Sequence, residues 1–229
     1  MTTTYRILAL SAGLSTPSST RMLADQLTRG TAAALGGAGI EIEVTTVELR
    51  EHAHEITDAL LTGFPGERLA MVVEQLRAAD AVIAVTPIFH LGPSGLFTMF
   101  FDAVDRELWR GRPVLLGATA GSARHSLAID YAIRPMFGYL RAAVVPTVVF
   151  AASADLGADT EGHADEQPLA VRVRRAAAEL AVMLRSGPGS AAEPSDGTAR
   201  AATEAPAAGA ALDPEFADFV PMGRLLGRD

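Results

Sequence analysis

The chain has no cysteine among its 229 residues, which removes disulfides, thiolate-bound metals and cysteine nucleophiles from its chemistry. It also lacks a basic surplus. With 19 Lys and Arg against 27 Asp and Glu, the formal net charge is -8 and the pI is near 5.1. Binding a nucleic-acid duplex needs a basic footprint, so any phosphate binding here has to be local. No apolar run approaches the roughly 18 residues of a membrane span, and Met1-Thr2-Thr3-Thr4-Tyr5-Arg6 lacks the shape of a secretory signal. A cytoplasmic location is expected. What is present fits a globular chain: 49% hydrophobic residues, a mean hydropathy of +0.23, and enough length for one core plus an appendage.

Five segments read as strands. Arg6-Ile7-Leu8-Ala9-Leu10, Ala81-Val82-Ile83-Ala84-Val85 and Val114-Leu115-Leu116-Gly117-Ala118-Thr119 are nearly unbroken apolar runs, as in parallel strands covered on both faces. Ile40 to Val47 alternates as an edge strand does. Ala143 to Phe150 is the last strand, with Pro146 again suggesting an edge. Helical patterns separate them, over Glu67 to Ala79, from Ser94 to Leu108, over Ile129 to Arg141 with an interruption at Pro135, and over Ala170 to Arg185. Alternating strands and helices predict an α/β fold: a doubly wound, five-stranded parallel sheet in the flavodoxin-like order 2-1-3-4-5.

Composition divides the chain into 1–185 as this domain, 186–211 as a flexible linker, and 212–229 as a segment apolar enough to dock. Of the 26 residues in the linker, 20 are Ala, Gly, Pro or Ser, too little apolar surface to offset ordering entropy. The His52, His54 and Glu55 group matches no common zinc spacing and reads as solvated polar residues.

In the 2-1-3-4-5 order the loops after the first, third and fourth strands lie side by side, where open α/β sheets bind ligands. The first, from Ser11 to Thr20, holds six Ser/Thr hydroxyls ahead of a helix N-terminus. Free backbone N–H groups and the dipole end suit a phosphate there. The loop has neither the Gly-Lys-Ser/Thr ending of a nucleotide P-loop nor a G-x-G-x-x-G pattern, and a plain helix cap explains it equally well. The second leaves the sheet at Pro87 and continues Ile88-Phe89-His90-Leu91-Gly92-Pro93. The third runs Thr119-Ala120-Gly121-Ser122 to His125. Two loops of small or apolar residues suit the face and edge of a flat heterocycle, and the three together describe a site for flavin mononucleotide. The candidate ligand residues are Ser11, Leu14, Ser18, Ser19, Thr20, Pro87, Ile88, Phe89, His90, Thr119, Ala120, Gly121, Ser122 and His125. His125 is also the candidate for handling a proton, and a helix-capping role fits it nearly as well. No metal is expected.

Over about residues 5 to 185 the chain resembles the NADPH-dependent FMN reductase family. The resemblance is carried by Ser11-Ala12-Gly13-Leu14-Ser15 with Ser18-Ser19-Thr20-Arg21, by Thr86-Pro87-Ile88-Phe89 followed by Ser94-Gly95-Leu96-Phe97, by Thr119-Ala120-Gly121-Ser122 with His125, and by Arg134-Pro135-Met136-Phe137. It implies a flavodoxin-like enzyme that takes hydride from NAD(P)H onto FMN and often supplies reduced flavin to a separate monooxygenase. Many relatives carry an arginine between the positions of Ser11 and Thr20. This chain has none, which fits an FMN held loosely or exchanged as a substrate. Two other readings stand beside it: an enzyme that keeps FMN and reduces quinones or azo compounds, and an electron carrier without turnover, which the acidic balance suits. Finally, the helix from Ser94 to Leu108 is apolar over about 200° of its circumference, where a surface helix buries about half as much. A homodimer or tetramer through Phe97 and Phe101 is therefore expected.

Overall fold

The computed structural model describes residues 4–156 and 167–187, all within one compact unit, Met1–Ala191. The expected docking segment 212–229 and all but the first two residues of the expected linker 186–211 lie outside the described residues. In chain order the elements are β1 (Thr4–Ser11), α1 (Ser19–Gly36), β2 (Glu41–Glu48), α2 (Ala53–Thr62), α3 (Glu67–Ala78), β3 (Ala81–Phe89), β4 (Gly92–Pro93), α4 (Gly95–Ala103), β5 (Pro113–Ala120), α5 (Arg134–Tyr139), β6 (Ala143–Val144), β7 (Val149–Ala152), α6 (Ser153–Leu156) and α7 (Leu169–Ser186).

The sheet runs β2-β1-β3-β5, all parallel, with β6 and β7 sharing the place beyond β5. This is the flavodoxin-like order, with seven strands in place of five. One extra strand arises because the fifth is broken: β6 pairs with Pro113 and Val114, β7 with Gly117 to Ala120, and Pro146 lies between them. Proline has no N–H to give to a ladder. Other groups hold the break, with Arg134 donating to the carbonyls of Val145 and Pro146 and Glu179 of α7 accepting from the Thr147 amide and hydroxyl at 2.7 Å each. The other extra strand, β4, forms a hairpin with the end of β3.

Both faces of the sheet are covered, so alternate residues of each central strand enter different cores. Ile7, Ala9, Ile83, Val85 and Leu115 pack with α1 and α7, while Leu8, Leu10, Val82, Ala84 and Leu116 pack with α2, α3, α4 and α5. In the second core Phe101 of α4 meets Phe97, Phe100, Trp109 and Phe137, and Phe137 also meets Phe97 and Trp109, with ring centroids 4.6 to 6.4 Å apart. Phe97 and Phe101 are buried within their own chain, at 0% and 4% exposure. The broad apolar face of α4 therefore does not carry the expected self-association. The helix is wedged between α2 on one side and Phe137 on the other, and it stops at Ala103, short of Leu108.

The expected helix over Ile129 to Arg141 begins instead as a wide π-helical turn, Ile129–Ile133, and becomes α-helical at Arg134. Pro135 cannot donate to the carbonyl four residues earlier and its ring crowds that carbonyl, so the change of winding falls at the proline. Such turns recur near functional sites.

Candidate functional site

The loop after β1 is packed closely. The Ala12 amide donates to the Val85 carbonyl at 2.9 Å, keeping the chain on β3 for one residue beyond the strand. Gly13 is needed next, because a Cβ there would stand 2.0 Å from Ser18 Oγ. That Oγ caps α1, accepting from the Arg21 amide at 3.2 Å. As an acceptor it keeps its own proton for a ligand. Ser11 Oγ is buried with no partner, an arrangement that costs stability unless something is bound. Ser19 and Leu14 are exposed. Thr20 is not: it is 2% exposed, and its hydroxyl lies 2.9 Å from that of Thr119. It ties the first loop to β5, and since either hydroxyl can be the donor, one of the two protons is left over.

The second predicted loop is a tight hairpin. β3 does not leave the sheet at Pro87 but runs to Phe89, and Pro87 is in register with Thr119 of β5. The proline is tolerated because pairing with β1 ends at Val85, leaving that side without a ladder to supply. Ile88 pairs with Pro93 and Phe89 with Gly92, so only His90 and Leu91 turn the corner. Both have positive φ, 50° and 63°, the left-handed region that bulky L-residues avoid. Thr86 and Ser94 close the base: the Ser94 amide donates to Thr86 Oγ1 at 3.1 Å, and Ser94 Oγ caps α4 through the Phe97 amide. Alternation puts Ile88 into the core at 6% exposure and leaves Phe89 46% and Leu91 63% exposed. Ile88 can therefore offer a ligand only its backbone. Leu91 is the apolar side chain that sequence reasoning missed at this corner.

At the end of β5, Thr119 is buried, Ala120 and Ser122 are half-buried and Gly121 is exposed. His125 ends a 3-10 turn, Ala123–His125, with its Nδ1 buried and unpartnered. Two clefts of about 210 and 240 Å³ lie elsewhere, lined by Arg6, Glu43 and Gln75 in one and by Arg106, Arg110 and Arg141 in the other. Neither touches these loops.

Beside the first loop stands a charge cluster that sequence reasoning also missed. Arg21 pairs with Asp25 at 2.8 Å and with Glu48 at 2.9 Å, and Arg50 pairs with the other Glu48 oxygen at 2.8 Å. The hydrogen bond that Arg21 donates to Asp25 is the main influence raising its guanidinium above the ordinary value; burial opposes it and Glu48 adds to it. Arg50 also donates to the Ser15 carbonyl at 3.2 Å and to Thr16 Oγ1. The available clue was position, since Glu48 ends and Arg50 follows a strand that lies beside β1.

The three loops thus meet at the carboxyl ends of β1, β3 and β5, the switch point of a flavodoxin-like sheet. The residues suit FMN. The orphaned Ser11 hydroxyl, the glycine-tight turn and the Ser18 hydroxyl fit a phosphate, while exposed Phe89 and Leu91 offer apolar surface and His125 carries an orphaned nitrogen on the third loop. This defines a flavin-binding α/β oxidoreductase. The family model described as NADPH-dependent FMN reductase matches residues 5–157, and the chain belongs to that family. An FMN reductase (NADPH) of Pseudomonas aeruginosa is 30% identical over 184 residues, covering 80% of this chain and 95% of the relative. An NADH-dependent FMN reductase, SfnE, of Pseudomonas putida is 33% identical over 184 residues, covering 80% and 94%. Among solved structures, an oxidoreductase from Corynebacterium diphtheriae is 40% identical with a TM-score of 0.74, covering 80% of this chain and 98% of that one. The activity is that of an NAD(P)H-dependent FMN reductase.

Proposed function

We propose that the protein takes FMN as an exchangeable substrate, reduces it with NAD(P)H, and releases it to a separate flavin-dependent monooxygenase in the cytoplasm, where nicotinamide is supplied. The carrying observation is the loop after β1, with its buried unpartnered Ser11 hydroxyl and its glycine-tight cap. When bound, FMN supplies the hydride acceptor. The chain's part is seating and protection. Ser11, Ser18 and Ser19 take the phosphate, and Pro87, Phe89, His90 and the Thr119 to Ser122 backbone take the ring. His125 holds a proton at Nδ1 beside it. Exposed Leu14, Phe89 and Leu91 leave the mouth open, which favours exchange over retention. The proposal includes a homodimer or tetramer with its contact away from the buried face of α4. Exposed Leu60, Leu61 and Phe64 at the end of α2 support it.

Steady-state oxidation of NADPH and NADH, with and without added FMN, tests the reading together with gel filtration of the flavin-loaded protein. Turnover should depend on free FMN, and the protein should elute without flavin. No oxidation of either nucleotide would defeat it. So would a protein that stays yellow and turns over only with an added quinone.

A further inference from the structure

We propose that Arg50 is the cation of the phosphate site and sets the preference for phosphorylated over unphosphorylated flavin. This rests on reading the loop after β1 as the phosphate cradle. Among the described residues, Arg50 is the one arginine whose guanidinium bonds to the loop between Ser11 and Ser18, although it lies on the 3-10 turn Leu49–His52 after β2. Its Nη1 reaches both the Ser15 carbonyl and the Thr16 hydroxyl, while its buried Nε stands 2.8 Å from a Glu48 oxygen as an ion pair, without a directed hydrogen bond. Two consequences follow. Thr16 Oγ1 accepts from a guanidinium, so its own proton is free and polarised for donation to an anion. The Ser15 carbonyl, which would otherwise repel a phosphate, is engaged by a donor.

Charge counting points the same way. Arg21, Asp25, Glu48 and Arg50 form one linked group with two positive and two negative members. Without Arg50 the group would carry one net negative charge beside the seat of a dianion, in a chain already at -8. Arg50 and Glu48 are also largely sheltered, at 27% and 16% side-chain exposure, so salt screens them less than it screens surface pairs. The planar guanidinium also lets one Nη1 serve two loop oxygens while the charge stays beside Glu48, which a lysine ammonium on a flexible stem does less well.

The test is the ratio of FMN to riboflavin affinity, read by flavin fluorescence quenching on the full chain, for wild type, Arg50→Met, Arg50→Lys and Ser18→Ala, with a circular dichroism melt of each. Arg50→Met should weaken FMN about tenfold or more, the scale of one lost charge-assisted bond, and leave riboflavin unchanged. Arg50→Lys should recover part of the loss. Equal weakening of both flavins by Arg50→Met would show a merely structural strap and overturn the proposal. If Ser18→Ala lowers the ratio and Arg50→Met does not, the cradle stands and Arg50 has no part in it. If neither variant moves the ratio, the phosphate lies elsewhere and the cradle reading fails together with the proposal.

Discussion

The loop after β1 and the hairpin after β3 meet at the same end of the sheet, and they are built by opposite means. The first is polar and tied down from outside: Gly13 lets Ser18 close over it, Thr20 reaches Thr119, and Arg50 holds it from the turn after β2. The second is apolar and ties itself, two residues wide, with His90 and Leu91 in left-handed backbone and Phe89 and Leu91 facing solvent. A fixed anion is best held by donors already in place, since ordering them on binding would cost affinity. A flat ring asks for area more than direction. The division teaches that flavin selectivity should reside in the first region and ring affinity in the second.

The most damaging break in that division is Gly13→Ala. The added methyl would overlap Ser18 Oγ, so the serine must rotate, losing its cap on α1 at a cost of about 1 kcal/mol in stability. It also withdraws a hydroxyl from the phosphate, worth about 1.5 to 3 kcal/mol. FMN affinity should fall about tenfold or more while riboflavin affinity holds, as measured by titration of each flavin. Equal losses would place both functions in one loop and erase the contrast.

A smaller change with opposite signs on fold and binding is His90-Leu91→Asn-Gly. Left-handed backbone costs a bulky L-residue about 1 to 2 kcal/mol, and Asn-Gly is the pair that two-residue hairpins of this hand prefer. Melting should rise by a few degrees, about 2 to 4 °C per kcal/mol at this size. Loss of the exposed Leu91 side chain should weaken FMN and riboflavin alike. A variant that is no more stable would mean that the turn is not strained, and a change in the flavin ratio would give the hairpin a role in phosphate selection.

The two regions were unequally legible in the sequence. Ala81 to Val85 and Leu115-Leu116 announce buried parallel strands because both faces of such strands must be apolar, and the hydroxyl-rich loop stands out by composition. The hairpin does not stand out, because His90-Leu91 is not a turn-forming pair; only the pairing of Phe89 with Gly92 reveals it. Pro87 suggested an exit from the sheet, yet one face of a strand that has lost its neighbour can accept a proline. Phe101 looked surplus because residue spacing counts how much of a helix is apolar and not how many neighbours flank it. Arg50 was hidden by distance along the chain, 35 residues from Ser15, and no local pattern reports such a contact.

The smallest expected effect concerns His52, on the same 3-10 turn as Arg50. Burial, then the nearby Arg68, push its pKa below the ordinary value, with Glu55 and Glu51 pulling the other way. Its Nδ1 is buried without a partner, which favours the neutral ring. In the unfolded chain the histidine titrates near its ordinary pKa of about 6.5. As the pH falls below that value the unfolded state takes up the proton first, so the stability conferred by a neutral His52 is present above about pH 6.5 and is lost progressively toward the lower folded-state pKa. The turn beside the phosphate loop should therefore loosen in mild acid. His52→Gln keeps a polar side chain without a titrating proton. Melting of the flavin-free protein between about pH 7.5 and pH 5 should fall less steeply for the variant than for the wild type. Parallel curves would show that His52 does not couple to folding and that acid sensitivity, where it is found, belongs to another part of the chain.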